Sequence, residues 1–519
     1  MPVQRRFSAL SLLFMAIGGM VGSGWLFGPL YAAQFAGPSA FIAWVVGGVL
    51  MMIIALTFSE LAAMLPFSGA MARFVQFSHG SFSSFTLTWV AWLAAVVVAP
   101  IETMAMLQYA STYIPWLMQA DPSGVGHTLT AQGGVVAAIV MLIMCYVNTL
   151  GAKVFSKTNN TVIIWKLAIP VITIIVLLTA RFHPQNFVSH GFFAGGIKGL
   201  LHALPEAGVI FSFIGYSPAI QLAGEAKNPQ RAIPWSVLGA IFFCIVMFVL
   251  LQIAFVAAIP GSSIANGWHA LSFSDDAGPV AGLLTMLGFL GFVKLLYIDA
   301  VISPLGTGFI YTASTARLNY AMSQNGYMPK FLQALNKQHM PHKAIWLNFA
   351  VGMVFFAPFP GWQKMVSFLV SCFVLSYAIG PIALVTLRTK LPNQHRPFRL
   401  PCAALLSFLA FYICNLIVYW TGWPVISKML LVIGIGYVVL LVSNRGVLKG
   451  FDFRHGVWLL FYLAGLGLIS YFGAFSGRNV LTFGWDFLVI ALFSLAIFIW
   501  AYASRSGPID PAELAVLED

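Results

Sequence analysis

Five ionisable residues, Glu102, Lys166, Glu206, Lys294 and Asp299, fall within long apolar stretches of the sequence. At the centre of a bilayer each costs on the order of 3 kcal/mol, and five facing lipid would cost about 15 kcal/mol. Most of them must face an interior, where the default role is that of an acid, a base or a counter-ion. Lys166, in Trp165-Lys166-Leu167-Ala168, is too far from either end of its stretch to reach water comfortably. Such a lysine can bind and release a proton near neutral pH, or form one half of a static ion pair. Glu102 follows Pro100 in Pro100-Ile101-Glu102-Thr103. It is a candidate proton acceptor, a ligand for a cationic group, or a partner for a lysine. Glu206 follows Pro205 near the end of its stretch, where partial solvation is the ordinary alternative. Lys294 and Asp299 stand about 140° apart around a helix, so each is expected to meet a different partner. Lys294 is a candidate to neutralise a carboxylate on a small ligand.

A second chemical feature is made of backbone. Residues 16 to 25 read Ala-Ile-Gly-Gly-Met-Val-Gly-Ser-Gly-Trp, with glycines at 18, 19, 22 and 24. Each interior glycine weakens a helix by about 1 kcal/mol relative to alanine. An unwound segment follows, and in a membrane it is tolerated only where protein or a water-filled cavity satisfies it. The half-helix beyond the break presents free N–H groups and a positive dipole end, which suits a carboxylate. The alternative is a helix-packing face, since Gly18-x-x-x-Gly22 has the small-xxx-small spacing. A second interruption, Ile214-Gly215-Tyr216-Ser217-Pro218, places glycine three residues before proline in the middle of another apolar stretch.

The elements that must position these residues are membrane helices. Of 519 residues, 60% are hydrophobic and 8% charged, against about 25% charged in soluble chains. Fourteen spans are expected, at roughly 8–35, 38–64, 85–117, 131–150, 155–180, 202–223, 234–259, 279–316, 344–358, 363–387, 402–420, 428–444, 455–475 and 483–503. Residues 65–84 read as a re-entrant or interfacial connection. Nineteen of the 26 Lys and Arg residues fall in loops on the N-terminal side, five fall on the other side, and Lys166 and Lys294 lie within spans. That bias places both termini in the cytoplasm. It also accounts for the net charge of +12 without a nucleic-acid partner. The first span is too long for the apolar core of a signal peptide and reads as a membrane helix. The five cysteines, 145, 244, 372, 402 and 414, show no metal spacing and are expected to be buried free thiols.

The breaks fall in the first and sixth of the opening ten spans, the pattern of two inverted five-helix repeats with a binding site at their interface. The chain resembles the amino acid–polyamine–organocation superfamily, whose members share the LeuT fold. The resemblance rests on Gly18 to Gly24, on residues 60–69 (Glu-Leu-Ala-Ala-Met-Leu-Pro-Phe-Ser-Gly), and on Ile214-Gly215-Tyr216 with residues 224–229 (Gly-Glu-Ala-Lys-Asn-Pro). It extends to residues 317–322 (Arg-Leu-Asn-Tyr-Ala-Met) and 326–329 (Gly-Tyr-Met-Pro). The fourteen-span layout is most similar to the bacterial aspartate–proton symporter group. The resemblance implies an all-α integral membrane protein with a ten-helix transport core at 1–390, whose repeats are roughly 8–180 and 202–387. Four additional helices at 391–504 and a short cytoplasmic tail at 505–519 would follow.

The resemblance also implies roles. A substrate α-carboxylate would meet the N–H groups of Gly22, Ser23 and Gly24. Its ammonium would meet carbonyls near Met20, Phe211 and Ile214, beside Ser212, with Phe211 and Tyr216 as an aromatic gate. Lys166 matches the fifth-span lysine of proton-coupled members, and Glu102 is the second candidate for proton coupling. No nucleotide-binding loop, paired metal-ligand motif or catalytic constellation occurs, so neither an ATP-driven engine nor a cofactor is expected. The expected protein is a secondary active amino acid transporter of the cell membrane, taking up acidic amino acids with protons. The rival readings are an amino acid exchanger or a polyamine or cationic amino acid carrier on the same fold, and, from another class, a channel.

Overall fold

A computed structural model describes residues 7–67, 70–120, 127–150, 152–273, 278–357, 359, 361–443, 451–507 and 509. In chain order the α-helices are α1 (Ala9–Met20), α2 (Gly24–Ala36), α3 (Ala40–Met64), α4 (Ala70–Ala110), α5 (Ala131–Thr149), α6 (Ala152–Ala180), α7 (Gly196–Glu206), α8 (Ser217–Gln221) and α9 (Pro229–Ala258). They continue as α10 (Pro279–Met286), α11 (Leu290–Gln324), α12 (His342–Val354), α13 (Trp362–Tyr377), α14 (Ile379–Lys390), α15 (Ala403–Trp420), α16 (Trp423–Ser443), α17 (Val457–Phe472) and α18 (Trp485–Ala503). The strands are β1 (Met118–Ala120) and β2 (His127–Leu129), which pair antiparallel with Gln119 opposite Thr128. The chain is therefore an all-α membrane protein. Among the described residues, ten helical stretches are long and apolar enough to cross a bilayer, and the bent pair from Gly196 to Gln221 adds one more.

Lipid-facing surface explains the composition. On α5, Val135, Ile139, Leu142 and Tyr146 are exposed at helical spacing, and on α16 so are Leu431, Ile435, Val438 and Val442. In water such apolar stripes would drive association. In hydrocarbon they are the expected outer face. The interior is built by α4 packed on α11 and α13, by α3 packed on α9, and by α1 wedged against α9.

A helix lies in each of the fourteen expected ranges, and the divisions differ in places. The expected span 279–316 is two helices: Gly288, at φ 85°, separates α10 from α11, which runs on to Gln324. Both pieces are apolar, so hydropathy alone merged them. The expected connection 65–84 is largely helical and belongs to α4, which kinks at Gly80, at φ 75°. A Cβ at Gly80 would stand 2.7 Å from Asp452 Oδ2, so glycine there admits a loop as well as a turn. The sixth span begins at Gly196, not near 202. Of the five cysteines, Cys402 is exposed while the other four are buried, which corrects the expectation of five buried thiols. Cys402 occupies an exposed loop position at φ 44°, immediately before α15.

On the face that carries the N-terminus, Glu60 lies fully buried near the end of α3. Arg388 of α14 donates to both of its oxygens at 2.8 and 2.6 Å, and the Leu400 N–H donates at 2.6 Å. This bidentate clamp fixes the loop that leads from α14 to the last four helices.

Candidate functional site

The first break lies where the glycines put it. Helix α1 stops at Met20, α2 starts at Gly24, and every residue from Gly18 to Gly24 is buried. The glycines serve close approach. A Cβ at Gly22 would stand 2.6 Å from Glu102 Oε1 and 2.9 Å from Thr307 Oγ1, and one at Gly24 would overlap Ser212 Oγ.

The second break begins earlier than expected. Helix α7 ends at Glu206, Gly208 turns the chain at φ 79°, and residues 211–216 form a 3-10 segment ahead of α8. The two halves are bent by 43°. Pro218 does not make the break; it sits in the first turn of α8, where its missing N–H has no intrahelical role. The two interruptions touch backbone to backbone. A Cβ at Gly19 would stand 2.6 Å from the Gly215 carbonyl oxygen, and one at Gly215 would overlap Gly19 and Met20.

Opposite charges are set at opposite helix ends. At the close of α1, Lys166 Nζ donates to the Gly18 carbonyl at 2.6 Å and to Thr307 Oγ1 at 2.7 Å, while Thr307 Oγ1 donates to the same carbonyl at 3.2 Å. Carbonyls in the last turn of a helix lack intrahelical donors, and a cation is favoured there. At the opening of α2, the Ser23 N–H donates to Glu102 Oε2 at 2.9 Å. An anion is favoured at that end. Glu102 and Lys166 are both buried, on α4 and α6, and Thr307 of α11 stands between their contacts. Glu102 Oε1 makes no hydrogen bond.

An aromatic layer closes the site on the side away from the N-terminus. The Trp362 indole N–H donates to Ser23 Oγ at 2.8 Å. Its ring stacks on Phe27 at 5.0 Å and Tyr31 at 5.9 Å and meets the edge of Phe211 at 6.0 Å. A Cβ at Gly208 would stand 2.7 Å from the same ring, so Trp362 covers both breaks. Trp362→Phe keeps the stack and removes one hydrogen bond worth about 0.5–1.5 kcal/mol. Its expected result is a KM for uptake raised about 2- to 12-fold, read from saturation kinetics at unchanged expression. An unchanged KM would detach Trp362 from the site.

The structure thus brings together Gly22, Ser23, Gly24, Phe211, Ser212, Glu102 and Lys166. Met20 and Ile214 are buried on the two interrupted segments, and the Ile214 carbonyl accepts from Tyr377 Oη at 3.4 Å. Tyr216 is buried against Tyr377, with ring centroids 5.6 Å apart. Lys294 stands exposed in the second turn of α11, apart from the cluster. Glu206 is not near the end of its span; it is the last residue of α7, at the break, and its carboxyl faces Ser367. Thr307 and Trp362 are the residues that sequence reasoning missed. A threonine or tryptophan within an apolar helix carries no local sign of the partner it will meet.

Comparison with known proteins adds a family. The family model described as "Amino acid permease" matches residues 7–442. The glutamate/serine transporter AimA of Bacillus subtilis (strain 168) is 40% identical over 511 residues, covering 97% of this chain and 94% of that protein. The aspartate-proton symporter of the same organism is 31% identical over 508 residues, covering 96% of each. Its branched-chain amino acid permease BcaP is 25% identical over 454 residues, covering 85% of this chain and 94% of that protein.

Proposed function

The chain belongs to the amino acid permease family, and on that premise we propose that it is a proton-coupled symporter of the plasma membrane that favours acidic amino acids. The observation that carries the coupling is the seat of Glu102. The Ser23 N–H is the donor expected to hold a substrate carboxylate, and here it holds Glu102 Oε2. Two carboxylates cannot share one amide. An ionised Glu102 makes a charge-assisted bond roughly twice as strong as a neutral one. Protonation weakens its hold, and the substrate carboxylate takes the N–H. Deprotonation on the inner side restores the bond and expels the substrate. Proton and amino acid are then linked through a single hydrogen-bond donor, with Lys166 supplying the nearby positive charge.

Residues 1–390 form the transport core as two inverted repeats that cross at Gly19 and Gly215, and residues 391–504 are accessory. The N-terminal face is cytoplasmic, by the distribution of Lys and Arg. The preference for acidic substrates is supported by the two relatives named for glutamate/serine and for aspartate. Lys294 does not support it, because it stands exposed away from the site.

Proteoliposomes test the proposal with labelled aspartate, glutamate, serine and arginine, each with and without an imposed pH gradient. Aspartate or glutamate is expected to accumulate only with the interior alkaline. Uptake solely by exchange, or failure of both acidic amino acids to compete, would replace symport with the exchanger or cationic-carrier reading. Glu102→Gln mimics the protonated side chain. It is expected to keep counterflow and to lose gradient-driven accumulation by about tenfold or more. Wild-type accumulation in that variant would remove Glu102 from the coupling.

A further inference from the structure

Asp299 is a buried carboxylate that the site described above does not use. It lies on α11 about 10 Å, two turns, before Gly306, the residue whose neighbours include the Lys166 side chain. It is fully buried. Oδ1 accepts from Ser303 Oγ at 2.7 Å, and Oδ2 has no hydrogen-bond partner. The carboxyl also faces the indole of Trp165, the chain neighbour of Lys166. No lysine or arginine bridges Asp299 among the described residues, so a static ion pair does not explain it. A buried carboxyl without a salt-bridge partner inside a transporter is by default part of an ion path.

Its surroundings have a direction. Among the described residues, the titratable groups that face it are Lys166 on α6 and Tyr109 on α4. Tyr109 meets Tyr297 edge-on at 5.9 Å, and Tyr297 meets Tyr113 at 4.8 Å. Tyr113 is 66% exposed and lies just beyond the end of α4, on the side away from the N-terminus. On the inner side of Asp299 is Lys166, whose ammonium has three N–H donors. Two of these are used, on Gly18 and Thr307.

We propose that Asp299 is the loading carboxyl of the proton path, between the outer tyrosine cluster and Lys166. This rests on the proton-coupled reading above. A proton entering beside Tyr113 and Tyr297 is taken up by the Asp299 carboxylate. The acid then passes it, through water beside Trp165, to a neutral Lys166 amine. The products are the Asp299 carboxylate and the Lys166 ammonium, each stabilised by the other's charge. Asp299 reloads from outside, and Lys166 governs the charge that Glu102 feels at the break.

The test uses the full chain in proteoliposomes, comparing wild type, Asp299→Asn and Asp299→Glu by gradient-driven accumulation and by counterflow without a gradient. Asp299→Asn is expected to keep counterflow within about twofold and to lose accumulation at least about tenfold, and Asp299→Glu to recover it. Wild-type accumulation by Asp299→Asn overturns the assignment. So does loss of counterflow in both variants, which would mark a structural role. Failure of the wild type to respond to the gradient overturns the symporter reading itself, and is seen before any variant is made.

Discussion

Lys166→Met is expected to reduce uptake by one to two orders of magnitude and to abolish its response to a pH gradient. Methionine is close to lysine in length, so the loss is one of polarity more than of volume. The Gly18 carbonyl and Thr307 Oγ1 each lose a donor at under 3 Å. A hydrogen bond from a charged group contributes about 1.5–3 kcal/mol, and Thr307 can restore part of this through its own bond to Gly18. A net deficit of about 1.4–2.8 kcal/mol corresponds to ten- to a hundredfold. The pH response is lost for a separate reason: Glu102 no longer has a neighbouring cation whose charge changes. Uptake at several imposed gradients separates the two effects, since a packing defect alone would scale all rates and preserve their ratio. An undiminished ratio would remove Lys166 from the coupling. Lys166→Arg is no conservative control, because a guanidinium stays charged and is planar.

The parts of this site that could be read from sequence are those made of backbone. Four glycines within seven residues announce the first break, and the structure opens the helix between Met20 and Gly24. The second break was visible but misplaced. Gly215 and Pro218 are its marks in the sequence, whereas the turn is made at Gly208, whose positive φ has no sequence marker beyond glycine itself. Gly215 has a different use, as a contact surface for Gly19. Lys166 and Glu102 were conspicuous because charge in an apolar span is expensive. Lys294 was conspicuous on the same ground, and the structure places it near the start of α11, because the helix begins at Leu290 and not at Pro279. An error in a span boundary thus became an error in depth. Trp362 and Thr307 were illegible for another reason. Trp362 meets Ser23 across 339 residues of chain, and only packing brings them together.

Gly215→Ala tests whether the two breaks must touch, and it is expected to be strongly damaging. The added methyl has no flexible side chain to displace. It would overlap the backbone of Gly19 and Met20, which is held in place by Lys166 and Thr307 on Gly18. The segments must separate by about 1 Å, and overpacking of this kind destabilises by about 1–3 kcal/mol or more. A misplacement on that scale at a preorganised site weakens function on the order of a hundredfold. Two further substitutions set the scale. Gly434→Ala, on α16, adds a methyl with nothing within 4 Å and is expected to leave uptake unchanged. Gly22→Ala presses on Glu102 Oε1 and Thr307 Oγ1, side-chain atoms that can move, and is expected to fall between the two. Uptake and thermal stability measured on all three give the ordering Gly434→Ala, Gly22→Ala, Gly215→Ala. Wild-type uptake by Gly215→Ala would show that the crossing of the breaks is packing alone, because a binding site held by two unwound backbones cannot absorb a methyl group between them.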